Sequence, residues 1–324
     1  MADKYDPEEN LYQPGQAGMY ELELPAPQLS TSDGRGPVLV HALEGFSDAG
    51  HAIRLAAAHL KAVLDTELVA SFAIDELLDY RSRRPLMTFK TDHFTHYEDP
   101  ELSLYALRDS VGTPFLLLAG MEPDLKWERF ITAVRLLAER LGVRQTIGLG
   151  TVPMAVPHTR PITMTAHSNN PDLITDFQPW ISEIQVPGSA SNLLEYRMAQ
   201  HGHEVVGFTV HVPHYLTQTD YPAAAQALLD QVAKTASLEL PLAALYEAAA
   251  VIRAKIDEQV QSSSEVAQVV AALERQYDAF IDAQENRSLL TREGDLPSGD
   301  ELGAEFERFL AQQAEKKFDD DDHA

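Results

Sequence analysis

Eight polar side chains stand where apolar runs of this sequence end, and their types are those that move protons, bind anions or ligate metals. Glutamate, aspartate and histidine serve as general acids and bases, and arginine binds carboxylate or phosphate groups. If the apolar runs are neighbouring parallel strands, these side chains share a cleft outside the carboxyl edge of the sheet. The candidate cleft residues are Glu44, Asp48, Glu122, Asp124, His158, Arg160, His211 and His214.

Each candidate also has a structural interpretation. Ser47 or Asp48 can cap the helix that follows the first run. Asp124 can open the next helix in the same way, and His158 and Arg160 can hold down a proline-containing loop through hydrogen bonds. A structural role for single members is therefore an alternative to a shared site.

Three arginines form a second cluster of interest, Arg81, Arg83 and Arg84. Guanidinium groups at this density are a candidate anion-binding site, with a solvated ion-pair network as the alternative. Arg160 is a separate case, because a buried arginine is costly unless it is paired. We expect it to pair with one of the carboxylates in the cleft, namely Glu44, Asp48, Glu122 or Asp124.

Several specific chemistries are poorly supported. The segment Gly45–Ala49 resembles a nucleophile elbow around Ser47, but Ala49 stands where the elbow has its second glycine. His211 and His214 are three residues apart across a loop containing proline, so we predict no metal site. No Walker loop and no G-x-G-x-x-G motif occur, and we predict no cofactor.

Composition narrows the classes of partner. The 324 residues include no cysteine, which excludes disulfides and fits a reducing compartment. The net charge of −25 argues against nucleic acid and anionic membranes as partners. The N-terminus lacks the pattern of a signal peptide, and no apolar run is long enough to span a bilayer. We expect a cytoplasmic protein.

The pattern of apolar residues predicts an α/β fold. Short β-branched runs alternate with segments of helical period between Pro37 and about Thr235, which is typical of an α/β layer fold. A β-hairpin is predicted over residues 86–97. The other predicted strands are 38–43, 68–74, 102–107, 115–119, 145–149, 162–166 and 205–211, and the predicted helices are 49–64, 127–141, 192–201 and 222–236.

Four regions follow from this pattern: an irregular N-terminal arm (1–36), an α/β domain (37–236), a helical C-terminal region (237–316) and an acidic tail (317–324). The helical region has amphipathic periods over 242–260, 265–282 and 302–310. Those helices, together with the apolar residues of the arm, carry more apolar surface than one flank of the domain can cover. We therefore expect a homo-oligomer.

Five segments in order resemble the PAC2 family, which is named after a proteasome assembly chaperone, and its longer actinobacterial branch in particular. They are GFSDAG (45–50), DELLDYRSRRP (75–85), GMEPDLKW (120–127), PHTRP (157–161) and GFTVHVPHYL (207–216). The resemblance covers about residues 37–235.

The resemblance implies a three-layer α/β/α body like the phosphorylase/hydrolase fold, with a C-terminal helical appendage. It implies a non-enzymatic assembly or interaction protein, and three subunits in the oligomer. The alternative is an enzyme or small-ligand binder, of hydrolase or ligase type, that uses the polar cleft. Chaperone-type relatives dock on proteasome rings through a hydrophobic-Tyr-X tail, and this chain ends differently, in Asp-Asp-His-Ala.

Overall fold

Side chains of the strand Val38–Glu44 point alternately to its two faces, and each face packs against a separate apolar core. Val38, Val40 and Ala42 face one core, and Leu39 and Leu43 face the other. A strand that is apolar on both faces needs a helix layer on each side. The fold meets that requirement with a three-layer α/β/α arrangement.

The structure is a computed structural model, and it describes residues 19–25, 27–31, 34–45, 47–177 and 183–290, with side chains up to residue 283. Its strands are β1 (Tyr20–Leu22), β2 (Val38–Glu44), β3 (Asp65–Phe72), β4 (Met87–Lys90), β5 (His93–Tyr97), β6 (Leu102–Arg108), β7 (Pro114–Met121), β8 (Gln145–Met154), β9 (Met164–Ser168) and β10 (Glu204–Pro213). Its helices are α1 (Ala52–Val63), α2 (Ile74–Leu77), α3 (Trp127–Arg140), α4 (Ala190–Gln200), α5 (Pro222–Ala236), α6 (Ala243–Ser262) and α7 (Ser264–Leu290).

Eight of these strands form one mixed sheet with the order β1-β3-β6-β7-β2-β8-β10-β9. The four central strands β7, β2, β8 and β10 are parallel, and the pairings outside them are antiparallel. The parallel strands therefore all end at the same edge of the sheet, as the sequence predicts. We refer to it as the carboxyl edge.

The two helix layers bury opposite faces of the sheet. Side chains of α1, α5 and α6 pack into one core, and side chains of α3 and α4 pack into the other. The C-terminal helices are partly anchored, because Leu245, Ile256, Val270 and Leu273 are buried. This arrangement confirms the predicted three-layer body and its helical appendage.

The hairpin β4–β5 departs from this packing. The two strands pair as the predicted hairpin, in a register that brings Phe89 opposite Phe94. Every residue of both strands is exposed. Phe89 and Phe94 are 58% and 62% exposed, although their rings contact each other edge to face. The hairpin therefore extends from the body with its apolar side chains in solvent.

The N-terminal arm differs from its prediction as an irregular segment. Tyr20–Leu22 is a strand that pairs antiparallel with β3, and Met19 is buried in the core beside it. A three-residue strand has too short a pattern to be recognised without its partner. The predicted helix over 302–310, the acidic tail 317–324, and the arm residues Leu11 and Tyr12 lie outside the described residues.

The helix predicted to begin at Ala49 begins at Ala52 instead. Gly50 and His51 both have left-handed backbone angles, with φ of 66° and 50°. Such angles interrupt an α-helix and are rare for residues other than glycine. The segment before α1 is therefore a separate short turn, which brings Asp48 to the amino end of the helix.

Candidate functional site

The eight candidate residues lie near the ends of strands or after them, but they belong to different groups of contacts. Arg83, near the base of the hairpin, contacts the backbone carbonyls of Glu44 and Glu122 and the side chain of Asp124. His158 and Arg160 contact the C-terminal helices. The remaining three, Asp48, His211 and His214, make local contacts of their own.

Arg83 organises the first group. Its Nη1 donates to the carbonyl oxygens of Glu44 and Glu122 at 3.3 and 3.0 Å, and its Nη2 lies 2.9 Å from Oδ1 of Asp124. The guanidinium thus ties the segment before the hairpin to the ends of β2 and β7. Arg81 and Arg84 are exposed and form no ion pair within the described residues. One member of the predicted anion-binding cluster, Arg83, is therefore already occupied by contacts within its own chain.

A cleft of about 390 Å³ opens beside Arg83. One wall is the α1 face around Ala57 and Lys61, and the opposite wall is the base of the hairpin, including Arg84. Glu44 reaches the cleft from the end of β2. Its carboxylate is half-buried and has no hydrogen bond or ion pair within the described chain. Burial, aided by the charge of Asp48, raises the pKa of Glu44.

Asp48 caps a helix. Its two carboxylate oxygens accept hydrogen bonds from the backbone N–H groups of Ile53 and Arg54, at 2.8 and 3.1 Å. Burial raises the pKa of Asp48 even though these bonds favour the charged form. This geometry agrees with the alternative in which Asp48 caps the helix rather than contributing to a shared site.

Ser47 has a structural role as well. Its hydroxyl donates to the carbonyl oxygen of Thr151 at 3.0 Å, and the hydroxyl of Thr151 donates back to the carbonyl of Ser47 at 2.6 Å. The proton of the Ser47 hydroxyl is therefore directed at a backbone oxygen rather than at a general base. This pairing joins the turn after β2 to β8.

His158 lies at the junction between the domain and the C-terminal helices. The residue is 3% exposed, and its ring has Nδ1 2.6 Å from the hydroxyl of Tyr215 and Nε2 3.0 Å from Oδ1 of Asp257 in α6. Both ring nitrogens therefore have partners. His158 holds α6 against the loop that follows β8.

The prediction that Arg160 pairs with Glu44, Asp48, Glu122 or Asp124 is wrong. Its partners are Asp278 and Glu274 of α7, at 2.7 and 3.2 Å. The Asp278 contact is bidentate, with Nη2 2.8 Å from the second oxygen, and it raises the pKa of Arg160 further above its ordinary value. A helix more than a hundred residues downstream supplies the carboxylates, because α7 packs across the loop.

This contact leads to a prediction about α7. Replacing Arg160 with glutamine removes both ion pairs, so amide hydrogen exchange over residues 264–283 is expected to become severalfold faster. Mass spectrometry of deuterated peptides measures this directly. Arg253→Gln is the matched control, because Arg253 lies near Asp257 within the same helix, α6, at 3.9 Å. Equal exchange in α7 for Arg160→Gln and the control would contradict the assignment.

The two histidines of β10 and its following turn are apart from the cleft. His211 is buried, and its ring nitrogens lie 2.8 Å from the hydroxyls of Thr163 and Thr165. Burial lowers the pKa of His211 to about 4, so the ring is neutral at physiological pH. His214 is exposed, with its ring edge-on to Tyr215. Within the described chain, no three His, Asp or Glu side chains are arranged to hold a metal ion.

Sequence reasoning missed a buried polar cluster between α4 and the sheet. Glu195 of α4 hydrogen-bonds to Nε2 of His167 through one oxygen, and its other oxygen lies 3.2 Å from Nε2 of His41. Nδ1 of His41 is 3.2 Å from the hydroxyl of Ser191. The sequence signal was a histidine at the centre of the apolar run VLVHALE, but the other members of the cluster lie on two distant elements, α4 and β9.

The order of Ser191, His41 and Glu195 is that of a serine–histidine–acid triad, but its surroundings do not suit acyl transfer. Oε1 of Glu122 accepts the backbone N–H of Ser191 at 2.9 Å. The backbone N–H of Ser191 is therefore bound to a carboxylate and is not available to stabilise an oxyanion. His41 is fully buried. The cluster is therefore better suited to holding α4 than to attacking a substrate.

The fold and the carboxyl edge define a three-layer α/β/α protein whose C-terminal helices are tied to the loop after β8. This chain belongs to the PAC2 family, whose model matches residues 42–260. Comparison with curated proteins gives no match. Of the helices in the described part of the chain, none is long and apolar enough to cross a membrane.

Three solved structures illustrate the relationship. A Mycobacterium tuberculosis protein of unknown function is 92% identical, with a TM-score of 0.84, and the match covers 86% of this chain and 95% of that one. A Corynebacterium glutamicum protein of unknown function is 46% identical, with a TM-score of 0.79 and coverage of 82% and 98%. A proteasome-assembly chaperone homologue of Mycobacterium tuberculosis is 26% identical, with a TM-score of 0.66 and coverage of 72% and 99%.

Proposed function

We propose that this chain is a non-enzymatic interaction protein of the PAC2 type, which assembles with further copies of itself through the β4–β5 hairpin. The exposure of that hairpin is the observation that carries the proposal. Leu86, Met87, Phe89 and Phe94 are each more than half exposed, and Tyr97 is 39% exposed. These side chains form one contiguous stretch of chain.

A free hairpin of this kind is unfavourable in water. Two isolated strands are marginally stable, and burying a large apolar side chain contributes about 1.5–3 kcal/mol. A two-stranded hairpin needs a further strand or a surface to pack against, and contact with another protein provides that surface. Large exposed apolar patches on proteins commonly mark such contacts.

Charge favours a second copy as the first partner. The hairpin and its base, residues 81–99, carry four Arg or Lys and three Asp or Glu residues, whereas the whole chain has a net charge of −25. The hairpin is therefore an apolar, nearly neutral projection from an acidic protein, and contact through it brings fewer like charges together than contact through the rest of the surface would. Closed cyclic symmetry is the common solution for such assemblies, and the family resemblance favours three subunits.

The assembled protein is proposed to bind other proteins in turn, in the cytoplasm. The relative that is 26% identical is a proteasome-assembly chaperone homologue. The lack of cysteine and the acidic composition support an intracellular setting and disfavour nucleic acid and membranes as partners.

Site-specific photocrosslinking tests the proposal. A photoreactive phenylalanine analogue at position 94 of the purified protein is expected to form crosslinks between two copies of the chain, identified by peptide mass spectrometry. Val111 is the matched control position, because it is 64% exposed but lies on a loop away from the hairpin. Absence of intermolecular crosslinks at position 94, or equal yields at both positions, would refute the hairpin as the interface.

The cleft beside Glu44 favours a second candidate function, which is binding of a small polar ligand. Its volume is within the range of ligand sites, and the Glu44 carboxylate makes no hydrogen bond within the described chain, although it feels the charges of Arg54 and Lys61. A thermal-shift screen with a metabolite collection is the test. A stabilising compound whose effect is lost in Glu44→Gln but kept in Glu67→Gln, an exposed position on β3, would support this candidate.

A further inference from the structure

The buried cluster of α4 rests on one continuous row across four strands. His41 of β2 pairs with Gly148 of β8, Gly148 pairs with Gly207 of β10, and Gly207 pairs with His167 of β9. A histidine therefore stands at each end of the row and a glycine at each of the two positions between them. Glu195 descends from α4 into the gap.

The two glycines make the space that the carboxylate occupies. A Cβ at Gly148 would overlap one oxygen of Glu195 and would lie 2.6 Å from Nε2 of His41. A Cβ at Gly207 would overlap the ring of His167 and would lie 3.0 Å from the other oxygen of Glu195. Only glycine at both positions lets Glu195 reach both rings.

The charges of this row respond to pH in a defined direction. Burial would raise the pKa of Glu195, but its contacts with His167 and His41 outweigh burial and lower that pKa to about 2. Glu195 is therefore ionised at physiological pH. The hydrogen bond to Glu195 raises the pKa of His167 above its ordinary value of 6.5. His167 is half exposed, so it can exchange protons with solvent.

A raised histidine pKa means that the docked form of α4 binds a proton more tightly than a released form does. The contribution of His167 is then fully present below pH 6.5 and is lost as the pH rises through the raised pKa. The contribution of the ionised Glu195 is lost only as the pH falls from about 4.5 towards about 2. Docking of α4 is therefore tightest in mildly acidic conditions.

The charged groups around the row are few. Glu195 is faced by His41 from β2 and His167 from β9, and glycines occupy the facing positions of β8 and β10. Glu122, after β7, binds the first turn of α4 through the backbone N–H of Ser191. At the other end of α4, Arg197 pairs with Glu128, and His203 lies 3.3 Å from Glu139, both on α3.

The first turn of α4 is also connected to the base of the hairpin. Ser191 donates to the side chain of Glu122, and the carbonyl oxygen of Glu122 accepts from Arg83. Arg83 precedes the hairpin by only a few residues. Two hydrogen bonds to Glu122 thus connect the first turn of α4 with the base of the hairpin.

We propose that His167 and Glu195 form a proton-dependent latch, in which protonated His167 holds Glu195 in the row and α4 against the sheet, and loss of that proton loosens α4. This inference does not depend on self-association. It assigns a regulatory role to residues outside the cleft.

Amide hydrogen exchange of α4 tests the latch. Protection of residues 190–200, corrected for intrinsic exchange rates, is measured in a pH series from about pH 6 to about pH 9.5, which begins below the ordinary histidine pKa and extends well above it. In the unmodified chain, protection is expected to fall by about three- to tenfold at the high end of the series, which is the difference between a charged and a neutral hydrogen bond discounted for exposure.

Two variants separate a latch from a merely structural contact. In His167→Gln the amide can still donate to Glu195 but does not titrate, so the pH dependence of protection is expected to disappear. His203→Gln removes a histidine–glutamate pair at the other end of α4 and is expected to keep that dependence. Protection of α4 that is independent of pH in the unmodified chain, or an unchanged pH dependence in His167→Gln, would overturn the proposal.

Discussion

Replacing Gly148 with alanine is expected to lower the free energy of unfolding by about 3–5 kcal/mol, the loss that follows when a buried charge is separated from its partner. The added methyl group would occupy the position of a Glu195 oxygen and crowd the His41 ring. Strand β8 is central in the sheet and cannot move aside, so Glu195 must withdraw. Urea denaturation followed by circular dichroism measures the change.

Gly188 provides the matched control for this substitution. It lies just before α4, and a Cβ there would have no atom within 4 Å. Gly188→Ala is expected to leave stability within about 0.5 kcal/mol of the unmodified chain, as for ordinary surface substitutions. A Gly148→Ala protein as stable as Gly188→Ala would show that Glu195 does not fill the gap between the two histidines.

The double substitution Phe89→Ser, Phe94→Ser is expected to weaken self-association at least a hundredfold, because each aromatic ring contributes about 1.5–3 kcal/mol when buried. Both side chains are exposed in the single chain, so thermal stability of the monomer should change little. Sedimentation velocity over a concentration series gives the dissociation constant.

A second double variant tests whether the effect belongs to the hairpin. Val111 and Leu125 are 64% and 48% exposed on loops outside it. Replacing both with serine removes comparable apolar surface and is expected to leave the dissociation constant unchanged. If the two double variants associate equally, the interface lies elsewhere on the molecule.

Local patterns in the sequence predicted the elements of this fold well. Apolar runs with β-branched residues gave the parallel strands, and the 3.6-residue period gave the helices, because both patterns record which side of an element is buried. The hairpin was predicted by two apolar runs around a short polar turn. The departures are the start of α1, where left-handed angles at Gly50 and His51 leave no periodic signal, and the strand β1, which is too short to show a pattern.

The site was harder to predict, because its contacts join elements that are distant in sequence. The ends of the strands were located, but Arg160 meets carboxylates of α7, and amphipathic periodicity does not say which loop a helix will cover. The row from His41 to His167 requires the strand order β2-β8-β10-β9, which no local pattern contains. Gly148 and Gly207 are informative only once that order is known.

The mass of the unmodified protein in solution tests the central claim most directly. Size-exclusion chromatography with multi-angle light scattering at micromolar concentration is expected to give a mass close to three times the 35.8 kDa of one chain. A different multiple would correct the number of subunits and keep the self-association. A mass of a single chain throughout the concentration range would contradict the proposal that the exposed hairpin is covered by further copies of this protein.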